Sequence, residues 1–334
     1  MNRNPLVSVI IPTYNCAPYI AEAIESVLAQ GYRNFEIIVV DDGSTDNTRV
    51  VLGPYWERII YLEQVNQGVV AARNVGIEYA RGELIAFLDA DDVWFPRKLA
   101  LQIQAYQQYP EAGLAFTDCS YFDESHAVDG SLFSKRVRRW FNSHRDEAGA
   151  VAHGWLYKEL LQSNCMHTSS VLVRRDVLDK VGLFNGDFKI CQDYDLWLRI
   201  ARKYPVVCIN SVLCGYRYRR DSLSGPAEVR EFRYNHEWIE VLEKHLKMDW
   251  IPENLQSLAK DALCERYWWL GWRYFYKNRF KEARSLFFHG LRYRPFSRRH
   301  WLYVSACFLP LPVVENLRRL KRGSRLRCGV DDAK

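Results

Sequence analysis

The chain has 334 residues, 48% hydrophobic and 26% charged, with a formal net charge of +6. Such a length suits one large domain or two moderate ones, and this composition excludes wholesale disorder and a polytopic membrane protein. Nine scattered cysteines, odd in number and never spaced C-x-x-C, exclude a disulfide framework and a zinc ribbon and point to reduced thiols. Charge is spread unevenly. Residues 265–334 carry 17 Lys and Arg against 5 Asp and Glu, which leaves the first 264 residues at −6. A basic tail beside an acidic body predicts attraction to a polyanion, a membrane surface or a nucleic acid, through the tail. Residues 1–5 enter an apolar segment without the pattern of a secretory signal, so a cytoplasmic location is expected.

In chain order, Val7 to Ile11, Glu36 to Val40, Ile59 to Leu62 and Leu84 to Leu88 are short β-branched and apolar runs that predict buried strands. Helical patterns separate them at Ala17 to Gln30, Asp46 to Leu52 and Val69 to Ala80. The alternation predicts an α/β fold with a mostly parallel sheet flanked by helices, whose ligands bind beyond the carboxyl ends of the strands. From Asp118 to Ala150 periodicity fails, and loops shaping a second substrate pocket are expected. Helices are predicted at Trp155 to Gln162, Arg175 to Val181 and Asp193 to Lys203, with a strand at Ser169 to Val173. Past Gly225-Pro226 the chain turns to helix formers dense in aromatics and Arg, which places a boundary between residues 1–225 and a helical region 226–334. Within that region Tyr267, Leu270, Gly271, Tyr274, Ala283, Phe287, Gly290 and Pro295 fall at the spacings of one tetratricopeptide-like hairpin.

Acidic groups gather where the sheet rule puts a site. Asp89-x-Asp91 follows a buried strand and can hold Mg²⁺ or Mn²⁺ with phosphate oxygens and water completing the shell, which implies a phosphorylated substrate. The structural alternative is that Asp91-Asp92 caps the helix entered at Phe95-Pro96. Asp41, at the tip of the second strand, can accept the imide proton of a uracil or thymine ring, and Pro12, Thr13 and Tyr14 flank the same crevice, where Tyr14 either stacks on a base or simply packs. Ser44 and Asp46 are expected mainly as capping groups. Arg73 can reach a base or phosphate, or make a surface salt bridge. Asp193 opens a helix, where it serves either as the base that takes an acceptor hydroxyl proton or as a charge favoured by the helix dipole. No G-x-G-x-x-G opens a helix after a strand and no P-loop occurs, so Rossmann and P-loop chemistry drop out.

Together Val7 to Asn15 (VSVIIPTYN), Val40 to Asp46 (VDDGSTD), Gln67 to Gly76 (QGVVAARNVG), Phe87 to Trp94 (FLDADDVW) and Gln192 to Arg199 (QDYDLWLR) resemble, in order, the motifs of the family 2 glycosyltransferases. The resemblance covers residues 6–224 and implies a GT-A fold. It further implies an inverting, metal-dependent transfer from a nucleoside diphosphate sugar, UDP or dTDP favoured, to a hydroxyl of a glycan or lipid-linked acceptor in cell-surface polysaccharide synthesis. Carried over, Asp41 would bind the base, Asp89 and Asp91 the metal, Asp193 would be the general base, and Ser169-Ser170 would line the acceptor side. Residues 216–224 resemble the family's Y-R-x-H-x-x-S-x-S with Arg219 where histidine is common. Arg219 can contact a diphosphate but cannot be a neutral metal ligand; His167 and His236 are candidate substitutes, although a lone histidine is more often packing or surface. The rivals are a sugar-phosphate nucleotidylyltransferase, whose N-terminal Gly-rich loop has no counterpart in Val7 to Asn15, and a catalytically silent membrane-associated scaffold.

The tail adds one feature. Residues 301–314 are uncharged but interrupted by Pro310 and Pro312, too short to span a bilayer, and Arg318, Arg319, Lys321, Arg322, Arg325 and Arg327 follow. Basic charge beside apolar bulk predicts a segment lying on an anionic membrane surface, with a solvated helical cap as the alternative. Nucleic acid is not expected, because no recognised nucleic-acid fold accompanies the charge.

Overall fold

The seven residues of β1 (Val7–Thr13) are all buried, as a strand flanked by others on both sides requires. In the computed structural model, which describes residues 4–122, 130–217, 227–247 and 251–316, β1 is followed by α1 (Ile20–Leu28), β2 (Phe35–Asp41), α2 (Thr48–Val51), β3 (Ile60–Glu63), α3 (Val69–Tyr79) and β4 (Leu84–Phe87). These four strands are parallel in the order β3-β2-β1-β4, with Thr13 in register with Asp41. Pro12 is tolerated inside β1 because β4 pairs only as far as Ile10, so its missing N–H breaks no ladder on that side. Gly76 sets the depth of α3: a Cβ there would collide with Ile10 of β1. The same close approach seats Arg73, one turn earlier on α3, as a buried residue.

The second half of the sheet is mixed. It contains β5 (Val93–Trp94), α4 (Lys98–Gln108), β6 (Leu114–Phe122), α5 (Lys135–His144), β7 (Val151–Gly154), α6 (Tyr157–Leu160), β8 (Leu172–Arg174), α7 (Arg175–Val181), α8 (Gln192–Lys203) and β9 (Val206–Arg217). β8 joins β4 and β6 antiparallel, β6 and β9 run parallel, and β5 and β7 pair antiparallel with β9. The sheet therefore reads β3-β2-β1-β4-β8-β6-β9-β5.

Several expectations are corrected here. The stretch from Asp118 to Ala150 is not all loop: it begins inside β6 and contains α5, which buries Val137, Trp140 and Phe141. The strand was hidden because β6 buries polar Thr117, Asp118 and Ser120 beside its apolar residues. Asp118 makes that possible by accepting from the backbone N–H groups of Cys119 at 2.8 Å and of Leu132 and Phe133 at 3.1 Å. The strand expected at Ser169 to Val173 is split into a 3₁₀ turn, Thr168–Ser170, and β8. Asp91-Asp92 does not cap the following helix, since β5 intervenes and α4 starts after Arg97, whose φ is 73°. β9 carried no strand expectation.

The described residues fall into two compact units divided between Val241 and Leu242, and α9 (Ala227–Leu246) crosses the division. In the second unit α10 (Glu253–Tyr276) and α11 (Phe280–Tyr293) fold back on each other, followed by α12 (Arg298–Ala306). Gly271 admits the Phe287 ring, which a Cβ would approach to 2.7 Å, and Phe275, Ala283, Leu291 and Val304 close the cluster. Fully burying the Phe287 ring contributes about 2 to 3 kcal/mol. The Tyr267 and Tyr293 hydroxyls both donate to Glu243 Oε1, at 2.7 and 2.6 Å. No helix among the described residues is long and apolar enough to cross a membrane. Arg219, the Gly225-Pro226 boundary and the basic run 318–327 lie outside the described residues.

Candidate active site

Three parallel strands end side by side, and their carboxyl ends carry Thr13, Asp41 and Asp89. Tyr14 stands next to Thr13 and is 47% exposed. Thr13 Oγ1 is buried without a hydrogen-bond partner. The turn after β1 is tied to the turn after β2: Asn15 Oδ1 accepts from the Thr45 N–H at 2.8 Å, Ser44 Oγ accepts from the Asn15 N–H at 2.9 Å, and Asp46 Oδ2 accepts from the Ala17 N–H at 3.1 Å. Asp46 Oδ1 also caps Thr48, taking its N–H at 2.9 Å and its hydroxyl at 2.5 Å.

Asp41 accepts from the Ser44 N–H at 2.8 Å and from the Tyr61 hydroxyl at 2.9 Å. Burial, and then Asp41, push the Tyr61 phenol above its usual range, so it remains a donor. Asp42 pins the next loop, taking the Gln64 amide at 2.7 Å and the Gln67 and Gly68 N–H groups at 2.8 Å. Gly68 has φ of 90°, a conformation open to glycine, and it starts α3. From α3, Arg73 Nη2 meets Asp89 Oδ1 at 2.5 Å, while its Nε and Nη1 are buried without a hydrogen-bond partner. A guanidinium 3% exposed with unused donors is costly alone and suited to an anion.

The acidic turn after β4 divides its labour. Asp92 is buried and accepts from Ser169 Oγ at 2.6 Å and from the Arg217 N–H at 3.0 Å. Burial, with Asp91, Cys214 and Asp89 adding to it, holds its carboxyl well above the ordinary value. Asp89 and Asp91 remain partly exposed. Ser169 joins the two roles, since its Oγ accepts from the Asp89 N–H at 3.1 Å and its carbonyl accepts from Trp94 Nε1 at 2.7 Å. Behind the turn, the fully buried Lys98 lies 4.0 Å from the Trp94 ring centroid and donates to Gln102 Oε1 at 2.9 Å. Burial pushes its ammonium down to about 7.

α8 brings in Asp193 from its first turn, where the helix dipole favours a negative charge. Buried Tyr194, Leu196, Trp197 and Ile200 fix the helix, and Glu237 Oε2 holds its entrance through the N–H groups of Ile190 and Cys191, at 2.7 and 2.9 Å. Asp193 Oδ2 accepts from Thr168 Oγ1 at 3.2 Å and from Asn164 Nδ2 at 3.4 Å. Burial raises its carboxyl, opposed by Arg73, the Tyr194 N–H and Thr168, while Asp89 adds to the rise. Asp193, Arg73 and Asp89 thus share one electrostatic neighbourhood. His167 belongs there too: burial pushes its imidazole down to about 4, partly offset by Asp89, and its ring lies 5.1 Å from that of Tyr216. His236 instead sits on α9 with Glu240 as its charged neighbour.

Sequence reasoning did not assign roles to Asp42, Tyr61, Asn164 or Thr168. Asp42 lies inside the VDDGSTD motif and Thr168 next to Ser169-Ser170, segments the resemblance had marked, whereas Tyr61 and Asn164 lay in none of the quoted motifs. Among the described residues no group of three or more His, Cys, Asp and Glu converges as a metal site. Asp89 and Asp91, two partly exposed carboxylates, could take part in holding a hard cation only with phosphate and water as its other ligands.

A curled α/β sheet with acidic turns at its strand ends is the architecture of nucleotide-sugar enzymes of the GT-A type. Residues 8–180 match Glycosyl transferase family 2, and the chain belongs to that family; it is a glycosyltransferase. It is 33% identical over 251 residues to an uncharacterised glycosyltransferase of Rickettsia typhi, covering 74% of this chain and 75% of the relative. It is 32% identical to the putative teichuronic acid biosynthesis glycosyltransferase TuaG of Bacillus subtilis, over 67% of this chain and 83% of TuaG. It is 31% identical to WfgD of Escherichia coli, a UDP-Glc:alpha-D-GlcNAc-diphosphoundecaprenol beta-1,3-glucosyltransferase, over 66% of this chain and 79% of WfgD. The fold resembles S. aureus TarS 1–349 in complex with UDP, with a TM-score of 0.64 and 17% identity over 94% of this chain and 91% of that one. It also resembles the mannosyltransferase PcManGT of Pyrobaculum calidifontis in complex with GDP-Man and Mn²⁺, with a TM-score of 0.62 and 20% identity over 97% of this chain and 81% of that one.

Proposed function

We propose that the protein transfers one sugar, with inversion, from a UDP or dTDP sugar to a hydroxyl of a lipid-linked or growing glycan, at the inner face of the membrane, in cell-surface polysaccharide synthesis. The observation that carries this is the buried Arg73 paired with Asp89 beyond the strand ends with donors left unused, and within electrostatic reach of Asp193 on α8. TuaG is named for teichuronic acid biosynthesis and WfgD for a diphosphoundecaprenol-linked acceptor, and this supports the acceptor class.

In this reading Asp41 accepts the imide N–H of the base with a lone pair not engaged by Ser44 or Tyr61. Pro12, Thr13 and Tyr14 border the nucleoside, and Arg73 meets the donor's negative charge. Asp89 and Asp91 hold Mg²⁺ or Mn²⁺, which when bound neutralises the leaving diphosphate. Asp193 takes the proton of the acceptor hydroxyl as the new glycosidic bond forms and the sugar–phosphate bond breaks. A carboxyl raised by burial is a stronger base than an exposed one, and the Thr168 hydroxyl and Asn164 amide fix its orientation. Arg219 is assigned to the diphosphate on resemblance alone.

A thermal-shift panel of UDP, dTDP and GDP sugars with and without Mn²⁺ tests the donor class, because a ligand that binds only the folded state raises Tm. A rise confined to uridine or thymidine donors with metal is expected; no rise with any would remove the reading. For Asp193→Asn, donor-induced shifts should persist while turnover falls about 100-fold or more. Normal turnover would remove the base assignment.

A further inference from the structure

The second unit leaves apolar side chains in water where a core could have taken them. Of the fifteen large hydrophobic side chains exposed among the described residues, eight lie between residues 288 and 313. Phe296 is 94% exposed, Leu302 66% and Phe308 64%, with Trp301, Leu311 and Val313 close behind. Part of this set is demonstrably one surface. Arg284 and Phe288 stand one turn apart on α11; the Phe288 ring packs edge-on to Trp301 at 6.2 Å, and the Arg284 guanidinium lies 4.5 Å from the Phe308 ring centroid. Trp301 Nε1 donates to the Pro295 carbonyl at 2.8 Å, so its polar edge is satisfied within the chain while the ring remains outward. The inward side of the same elements is already closed by Phe287, Val304, Cys307 and Val314.

We infer that this face, built on α11, α12 and residues 307–313, is a docking surface for an anionic lipid bilayer. Charge decides the occupant. Residues 265–334 hold 17 basic against 5 acidic groups, and six of the basic ones follow the apolar stretch directly at 318–327. A second copy would bring the same positive charge against this one, whereas an anionic leaflet complements it and accepts the protruding rings at its acyl boundary. Nucleic acid would answer the charge but offers no apolar phase to Leu302, Leu311 and Val313. A stretch of 14 uncharged residues broken by Pro310 and Pro312 suits lying in the interface, not crossing it. The inference rests on the proposed lipid-borne acceptor only for its purpose; docking itself needs no donor.

The test is flotation of the full chain, without donor, on vesicles of phosphatidylcholine alone and with phosphatidylglycerol added. Binding to the anionic vesicles, weakened by salt, is expected. Replacing Trp301, Leu302 and Phe308 together by Ser should weaken it about tenfold or more. Leu302→Glu alone, a change at a strongly exposed position, should weaken it in the same direction without lowering Tm. Equal binding to uncharged vesicles, retention of full binding in both variants, or loss of a dimer by light scattering in the variants would overturn the proposal, as would RNA binding that the apolar variants leave intact in the absence of vesicle binding. Transfer to a water-soluble acceptor, measured on the same samples, separates the two readings: its absence with docking intact speaks against the enzymatic assignment only.

Discussion

The turns after β2 and β4 are both rich in aspartate, yet they spend their carboxylates differently. After β2, Asp41 and Asp42 are 2% and 3% exposed and together accept five hydrogen bonds from their own surroundings. After β4, Asp92 alone takes the buried scaffolding place, through Ser169 and Arg217, and Asp89 and Asp91 stay partly exposed. Asp42 and Asp92 are thus given over to shaping loops, while Asp89 and Asp91 keep exposed surface; Asp41, though buried, accepts from Ser44 and Tyr61 only, fewer bonds than a carboxylate can take.

The sharpest way to break this contrast is Asp91→Asn, for which metal-dependent transfer should fall about 100-fold or more while Tm stays within about 2 °C of the parent. A matching fall in Tm would mean that Asp91 is scaffold after all. Asp42→Ala should do the reverse and cost about 2 to 4 kcal/mol in urea unfolding, because the Gln67 and Gly68 N–H groups and the Gln64 amide lose their acceptor.

Asp92→Asn probes the same division through pH. The folded carboxyl titrates above the unfolded value of about 3.9, so the folded state binds more protons in that window and stability declines as pH climbs through it. The variant should show a flatter dependence of its urea midpoint between acid and neutral pH. The smallest effect is expected behind the second turn. Lys98 titrates near about 7 when folded and near about 10.4 when unfolded, so stability rises with pH between those values. Lys98→Met should gain about 1 kcal/mol at and below neutral pH, and the gain should shrink as pH approaches about 10.

The first half of the sheet was legible because each of its four strands is a short apolar run and the helices between them keep their period. The second half was not. β6 buries Thr117, Asp118 and Ser120, and β9 exposes Asn210 and Ser211 in its middle, where its register with β6 shifts, so neither carries a clean pattern. Among the candidate site residues, Asp41, Asp89, Asp91 and Asp193 stand out in the sequence from their positions after strands and at a helix start. Asp92, Thr168 and Asn164 do not, because their partners lie far away in sequence, as with Ser169 and Asp92, 77 residues apart.

By itself the sequence determined the parallel β/α order, the placing of acid at the strand ends and the family. These follow from local periodicity and from motifs that each span about ten residues. Tertiary structure alone decided which acids are buried, that Arg73 faces Asp89 with donors to spare, and that Asp193 shares their field. Burial and charge coupling depend on distances through space, and those are set when the sheet curls and α3 and α8 settle against it.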